Sequence, residues 1–186
     1  MQRPLPVDNL QSQNDEKTGV ITISWSSNPA SSQESYLVSY HEVESSIGDS
    51  NTITTNKTRI NLETLLPGRN YSINVQAVSK DQQSLDNIIY ITTKPSAPII
   101  EDLKPMVDGL NISWKSDVNS KQDKYEVQWI RNDTNDKNIR TTYESKIILN
   151  HLYPGAGYLV KVFAISHGLK SEPHEYFQPV CKYSKF

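Results

Sequence analysis

Leu65-Leu66-Pro67-Gly68-Arg69-Asn70-Tyr71-Ser72-Ile73-Asn74-Val75-Gln76-Ala77 reads as a tight turn feeding a β-strand. Pro67 presets the backbone angle that a turn's second position needs, and Gly68 tolerates the positive φ that commonly follows it. Past the turn, Tyr71, Ile73, Val75 and Ala77 alternate with polar residues. A period of two puts the apolar set on one face of a pleated strand. The same wording returns 87 residues later as Leu152-Tyr153-Pro154-Gly155-Ala156-Gly157-Tyr158, with Val160, Val162 and Ala164 continuing the alternation.

Working outward, two further segments repeat, both at a spacing of 89 residues. Ile21-Thr22-Ile23-Ser24-Trp25 returns as Leu110-Asn111-Ile112-Ser113-Trp114, and Tyr36-Leu37-Val38-Ser39-Tyr40 as Tyr125-Glu126-Val127-Gln128-Trp129. Self-similarity at such a period marks repeated structural units. Each copy predicts short antiparallel strands with one buried and one wet face, the pattern of two sheets packed as a sandwich. The expected fold class is therefore all-β, with almost no helix. The copies join at Thr93-Lys94-Pro95-Ser96-Ala97-Pro98, where the prolines hold the chain extended. This gives domains at 1–94 and 95–186, expected as an elongated pair with a limited hinge.

Bulk properties exclude several function classes. Nineteen basic against 21 acidic side chains leave a formal charge of −2, too small to steer the chain toward nucleic acid or an anionic membrane. No run approaches the ~18 apolar residues of a membrane span, and Met1-Gln2-Arg3-Pro4 leads into no apolar signal core, so the segment is expected not to insert into a bilayer. Cys181 is the single cysteine, so neither copy holds an internal disulfide and each core must stand on packing. The thiol either pairs outside this segment or stands exposed.

The chain resembles the fibronectin type III domains. The resemblance rests on four marks in each copy: Trp25 or Trp114 ending an early strand, Tyr36 or Tyr125 opening the next, the Leu-x-Pro-Gly-x-x-Tyr segment, and the proline-rich junction. It implies two seven-stranded antiparallel β-sandwiches in tandem. Leu65 or Leu152 then anchors the turn from beneath, and Tyr71 or Tyr158 plugs the core while its hydroxyl bonds back to the turn. A narrower resemblance links Leu-Leu-Pro-Gly-Arg-Asn-Tyr and Ala164-Ile165-Ser166-His167-Gly168-Leu169-Lys170-Ser171-Glu172 to the extracellular repeats of insect receptor-type protein tyrosine phosphatases. The second copy departs from it with Ala156-Gly157 where Arg69-Asn70 stand. The resemblance implies a receptor ectodomain outside the plasma membrane whose phosphatase domain lies beyond this chain.

No Gly-x-Ser-x-Gly elbow, His-Glu-x-x-His helix, phosphate loop or Cys-x-x-Cys pair occurs, so no catalytic, cofactor or metal residues are assigned. The fragment is expected to be no enzyme. Gly155-Ala156-Gly157 reads as part of a turn, and the Asp residues of the polar loops lack the spacing of a calcium loop. Four N-glycosylation triplets begin at Asn56, Asn70, Asn111 and Asn132. Two functions stay open, a protein-binding module of a receptor and a passive spacer or matrix element. Neither Arg-Gly-Asp nor Trp-Ser-x-Trp-Ser is present. An exposed apolar patch separates the two readings, because a spacer has no reason to keep one wet. The candidate is the outward side of the second copy, with Leu159, Phe163 and Ile165 on one strand, Ile130 on its neighbour, and Tyr176 or Phe177 on the next. At the matching positions the first copy has Ser72, Asn74 and Gln76.

Overall fold

The computed structural model describes residues 3–15, 19–44 and 50–182. Their contacts divide the chain into two compact units, Met1–Leu65 with Asn70–Thr92 and Leu66–Arg69 with Thr93–Phe186. Among the described residues every regular element is a strand.

The first unit holds β1 (Asp8–Asn14), β2 (Ile21–Ser26), β3 (Ser35–Glu42), β4 (Asn51–Thr55), β5 (Arg59–Leu62), β6 (Asn70–Ser79), β7 (Gln82–Gln83) and β8 (Ile88–Thr92). They form one sheet in the order β1-β2-β5 and another in the order β4-β3-β6, with β7 and β8 both along the far side of β6. The second unit repeats this with β9 (Ile99–Pro105), β10 (Leu110–Lys115), β11 (Lys124–Arg131), β12 (Lys137–Thr142), β13 (Lys146–Leu149), β14 (Gly157–Ser166), β15 (Leu169–Lys170) and β16 (His174–Pro179). Its sheets are β13-β10-β9 and β12-β11-β14, with β15 and β16 along the far side of β14. All pairings are antiparallel.

Counted over the described residues with β7 and β8 as one interrupted edge strand, and β15 and β16 as another, each sandwich has seven strands. The interruption has a definite cause. Ser84 turns its side chain into the ladder, so that its Oγ accepts from the Ala77 amide at 3.0 Å and donates to the Leu85 carbonyl at 2.9 Å. Ser171 does the same with the Ala164 amide and the Glu172 carbonyl, at 2.9 and 2.7 Å. Both serines are buried, and no sequence pattern singled them out.

The predicted inward residues form the cores. Ile21, Ile23 and Trp25 on β2, Tyr36, Val38 and Tyr40 on β3, and Tyr71, Ile73, Val75 and Ala77 on β6 are buried together, with Leu65 packed at the edge. The second core gathers Leu110, Ile112, Trp114, Tyr125, Val127, Trp129, Tyr158, Val160, Val162 and Ala164, with Leu152 buried beneath the turn. Full burial of each such aliphatic side chain contributes ~1.5–3 kcal/mol, which is why both cores hold without a disulfide. Gly68 and Gly155 take the positive φ that the Pro-Gly turns require, at 72° and 77°. Beside the second turn the Tyr153 amide donates to the Tyr158 hydroxyl at 3.1 Å.

Candidate functional site

The outward face of the second unit's five-stranded sheet is set by the register of β12, β11, β14 and β16. One row across it runs Lys137, Ile130, Leu159, Phe177; the next runs Ile139, Gln128, Lys161, Glu175. Glu126 stands opposite Phe163 in the following row, and Lys124 opposite Ile165 in the one after. Ile130, Leu159, Phe163 and Ile165 are all half-buried on this face. Ile139 and Phe177 are more open, at 54% and 51% exposure.

Tyr176 does not join this face. It pairs with Val160, a core residue, whereas Phe177 pairs with Leu159. The strand alternates, so Tyr176 turns toward the sandwich seam, where its neighbour but one His174 accepts from the Ile100 amide at 3.0 Å. Of the two aromatics considered from sequence, Phe177 is the one on the outward side.

The expected apolar stripe is also divided. Lys161 reaches Glu175 at 2.5 Å and sets an ion pair between Leu159 and Phe163. Lys170 lies over the Phe163 ring, 5.0 Å from its centre, while donating to Glu126 at 2.8 Å. Gln128 donates to the same Glu126 oxygen at 2.5 Å. Burial works to raise the Glu126 pKa, but the Lys170 and Gln128 hydrogen bonds and the charges of Lys170 and Lys137 outweigh it and hold the carboxyl below the usual range. What stays apolar and accessible is the Ile139, Ile130, Leu159, Phe177 end.

Phe177 owes its pose to a glycine. A β-carbon built on Gly157 would come within 2.3 Å of the Phe177 ring, so the ring lies down against the Gly157 backbone. Here the second copy departs from the Arg69-Asn70 wording, and the close approach is the physical reason it can. In the first unit the corresponding residue, Asn70, accepts from the Thr92 hydroxyl at 2.7 Å.

On the first unit's equivalent face Leu37, Ile88 and Tyr90 are the apolar and aromatic members, while the polar residues of β6 are internally bonded. Asn74 donates to Asp86 at 2.8 Å, and Gln76 to the Ser84 carbonyl at 3.0 Å. Ser72, expected to be wet, is only 7% exposed between its cross-strand partners His41 and Tyr90.

The glycosylation triplets fall in distinct settings. Asn56 is exposed in the turn between β4 and β5, Asn111 is exposed on β10 opposite Ile148, and Asn132 is exposed where β11 enters its hairpin. Asn70 is half-buried. Around Asn132 the hairpin is braced. Arg131 grips Asp133 through two contacts of 2.6 and 2.7 Å and covers the Tyr153 ring at 4.1 Å, and Thr134 donates to Asp136 at 2.6 Å. The Arg131 guanidinium holds the Asp133 carboxyl below the usual range. Cys181 is an exposed free thiol, and among the described residues no group of His, Cys, Asp or Glu could hold a metal ion.

With the repeated sandwich in view, the family model described as Fibronectin type III domain matches residues 5–89 and 95–180. The chain belongs to the fibronectin type III family. These fibronectin type III domains are non-catalytic modules. The human Fibronectin type III and SPRY domain-containing protein 2 is 27% identical over 90% of the chain, which spans 24% of that protein. Among solved structures, a two fibronectin type III domain segment from chicken tenascin matches with a TM-score of 0.71 at 20% identity, covering 94% of this chain and 99% of that one. The FN1-FN3 domains of chicken CNTN1 give a TM-score of 0.45 at 15% identity, over 97% of this chain and 68% of that one.

Proposed function

We propose that this fibronectin type III pair is a protein-binding fragment of a cell-surface receptor ectodomain, meeting its partner through the outward five-stranded sheet of the second unit. One observation carries the reading. The same scaffold positions that hold Thr52, His41 and Ser72 in the first unit hold Ile139, Ile130 and Leu159 in the second. An exposed Ile139, with the half-buried Ile130 and Leu159 beside it, at positions where the sister domain keeps polar residues supports a contact surface. The flanking Lys161–Glu175 and Lys170–Glu126 pairs supply the polar rim that such interfaces have.

The four glycosylation triplets support an extracellular location. The wording shared with insect receptor-type tyrosine phosphatases supports such a receptor as the parent, with its catalytic domain outside this chain. Finding a membrane span and a phosphatase signature downstream in the full-length coding sequence tests the parentage.

The contact face is tested by titrating the tetramerised chain against an array of cell-surface ectodomains, with Ile139→Glu/Leu159→Ala beside the wild type. Apolar anchors of this kind carry ~2 kcal/mol, so the double variant is expected to bind ~30-fold more weakly while still folding. Equal saturable binding by both proteins moves the contact off this face, and saturable binding by neither leaves a passive spacer.

A further inference from the structure

Asn132 sits at one end of the same outward face. Its amide donates to the Gly157 carbonyl at 2.9 Å, which carries the pairing of β11 with β14 one step past Arg131 and Tyr158. Asn132 is the first residue past β11, exposed where the chain turns into its hairpin, and its backbone lies directly against that of Gly157. Across from it the half-exposed Phe177 ring lies on Gly157. An exposed asparagine that begins Asn132-Asp133-Thr134 therefore stands beside an aromatic shelf.

The first unit repeats the arrangement with the asparagine moved one strand over. There the Val43 amide donates to the Asn70 carbonyl at 2.9 Å, and Asn70 is itself the triplet asparagine. The exposed aromatic Tyr90 pairs with Ser72, as Phe177 pairs with Leu159. The two units thus place a glycosylation triplet and an exposed aromatic ring at the same end of the same sheet face, by different residues.

We propose that Asn132 carries an N-linked glycan whose first N-acetylglucosamine packs against the Phe177 ring, covering that end of the face and leaving Ile139, Ile130 and Leu159 as the open contact area. The inference rests on the extracellular reading above. Three features support it. An N-acetylglucosamine ring presents a face of C–H groups, which suits the electron-rich face of an aromatic ring. Gly157 leaves no side chain between Asn132 and that ring. The brace of Arg131 on Asp133 and Thr134 on Asp136 holds the hairpin in one geometry, so the sugar loses little freedom on docking.

The test is to secrete the whole chain from eukaryotic cells, map occupancy by glycopeptide mass spectrometry, and trim the glycans to single N-acetylglucosamines. The expected result is an occupied Asn132 whose N-acetyl methyl resonance, assigned by its loss in Asn132→Gln, is shifted upfield by the Phe177 ring. The trimmed protein is expected to melt ~4 °C above Asn132→Gln, a gain that vanishes in Phe177→Ala. Occupancy at other triplets with a bare Asn132 overturns the proposal, as does an occupied Asn132 with an unshifted N-acetyl methyl, a readout that needs no variant at Phe177. The same mapping on protein from its natural source separates the two levels. Bare asparagines at all four triplets there overturn the extracellular reading itself.

Discussion

The rings of Trp114 and Tyr125 meet edge to face, their centres 5.2 Å apart and their planes at 67°. Trp25 and Tyr36 repeat the contact at 5.3 Å and 69°. Each tyrosine hydroxyl is hydrogen-bonded to a serine two residues after the tryptophan, Ser27 or Ser116. The tryptophan bridges the two sheets because β2 and β10 belong to the three-stranded sheet while β3 and β11 belong to the five-stranded one.

This contact predicts a sharp difference between two substitutions. Trp25→Ala or Trp114→Ala removes a buried aromatic and is expected to cost ~3–5 kcal/mol in urea unfolding. Trp→Phe at either site keeps an aromatic ring and removes a buried indole N–H for which the described residues offer no hydrogen-bond partner. Its expected cost is under ~1.5 kcal/mol, since an unsatisfied buried donor itself costs ~1–3 kcal/mol. Equal losses for the Phe and Ala variants would mean that the volume of the indole, and not the presence of a ring, is what the core needs at this position.

The edge serines make the second prediction. Ser84→Ala leaves the Ala77 amide without its acceptor, and Ser171→Ala does the same to Ala164, both on buried central strands. Each is expected to lose ~1–3 kcal/mol and to speed hydrogen exchange at that one amide more than at its neighbours. Uniform acceleration along β6 or β14 would mean that the whole edge had come away.

Glu126 makes the third, through pH. Its folded carboxyl titrates below the ordinary range, so the native state binds a proton there less readily than the unfolded chain. The stability from Lys170 and Gln128 is then fully present above the unfolded glutamate value of ~4.3 and is lost as pH falls through the folded value. The difference in stability between wild type and Glu126→Gln is expected to be largest above ~pH 5 and to shrink toward acid. An NMR titration placing the Glu126 midpoint above that of free glutamate would reverse the sign.

Alternation, repetition and turn chemistry were sufficient to identify the all-β class, the two copies and the inward residues of β2, β3 and β6, because a strand's two faces are a local property with a period of two. Ile21, Ile23 and Trp25 needed no partner to be recognised as core. The face of Phe177 against that of Tyr176, the Lys170 cover over Phe163, the Ser84 and Ser171 insertions and the nearness of Asn132 to Gly157 were settled by tertiary structure. Each depends on which residue of a distant strand lies opposite. Register is set by the whole sheet, and a slip of one residue exchanges the faces, so neither half of such a pair carries the information alone.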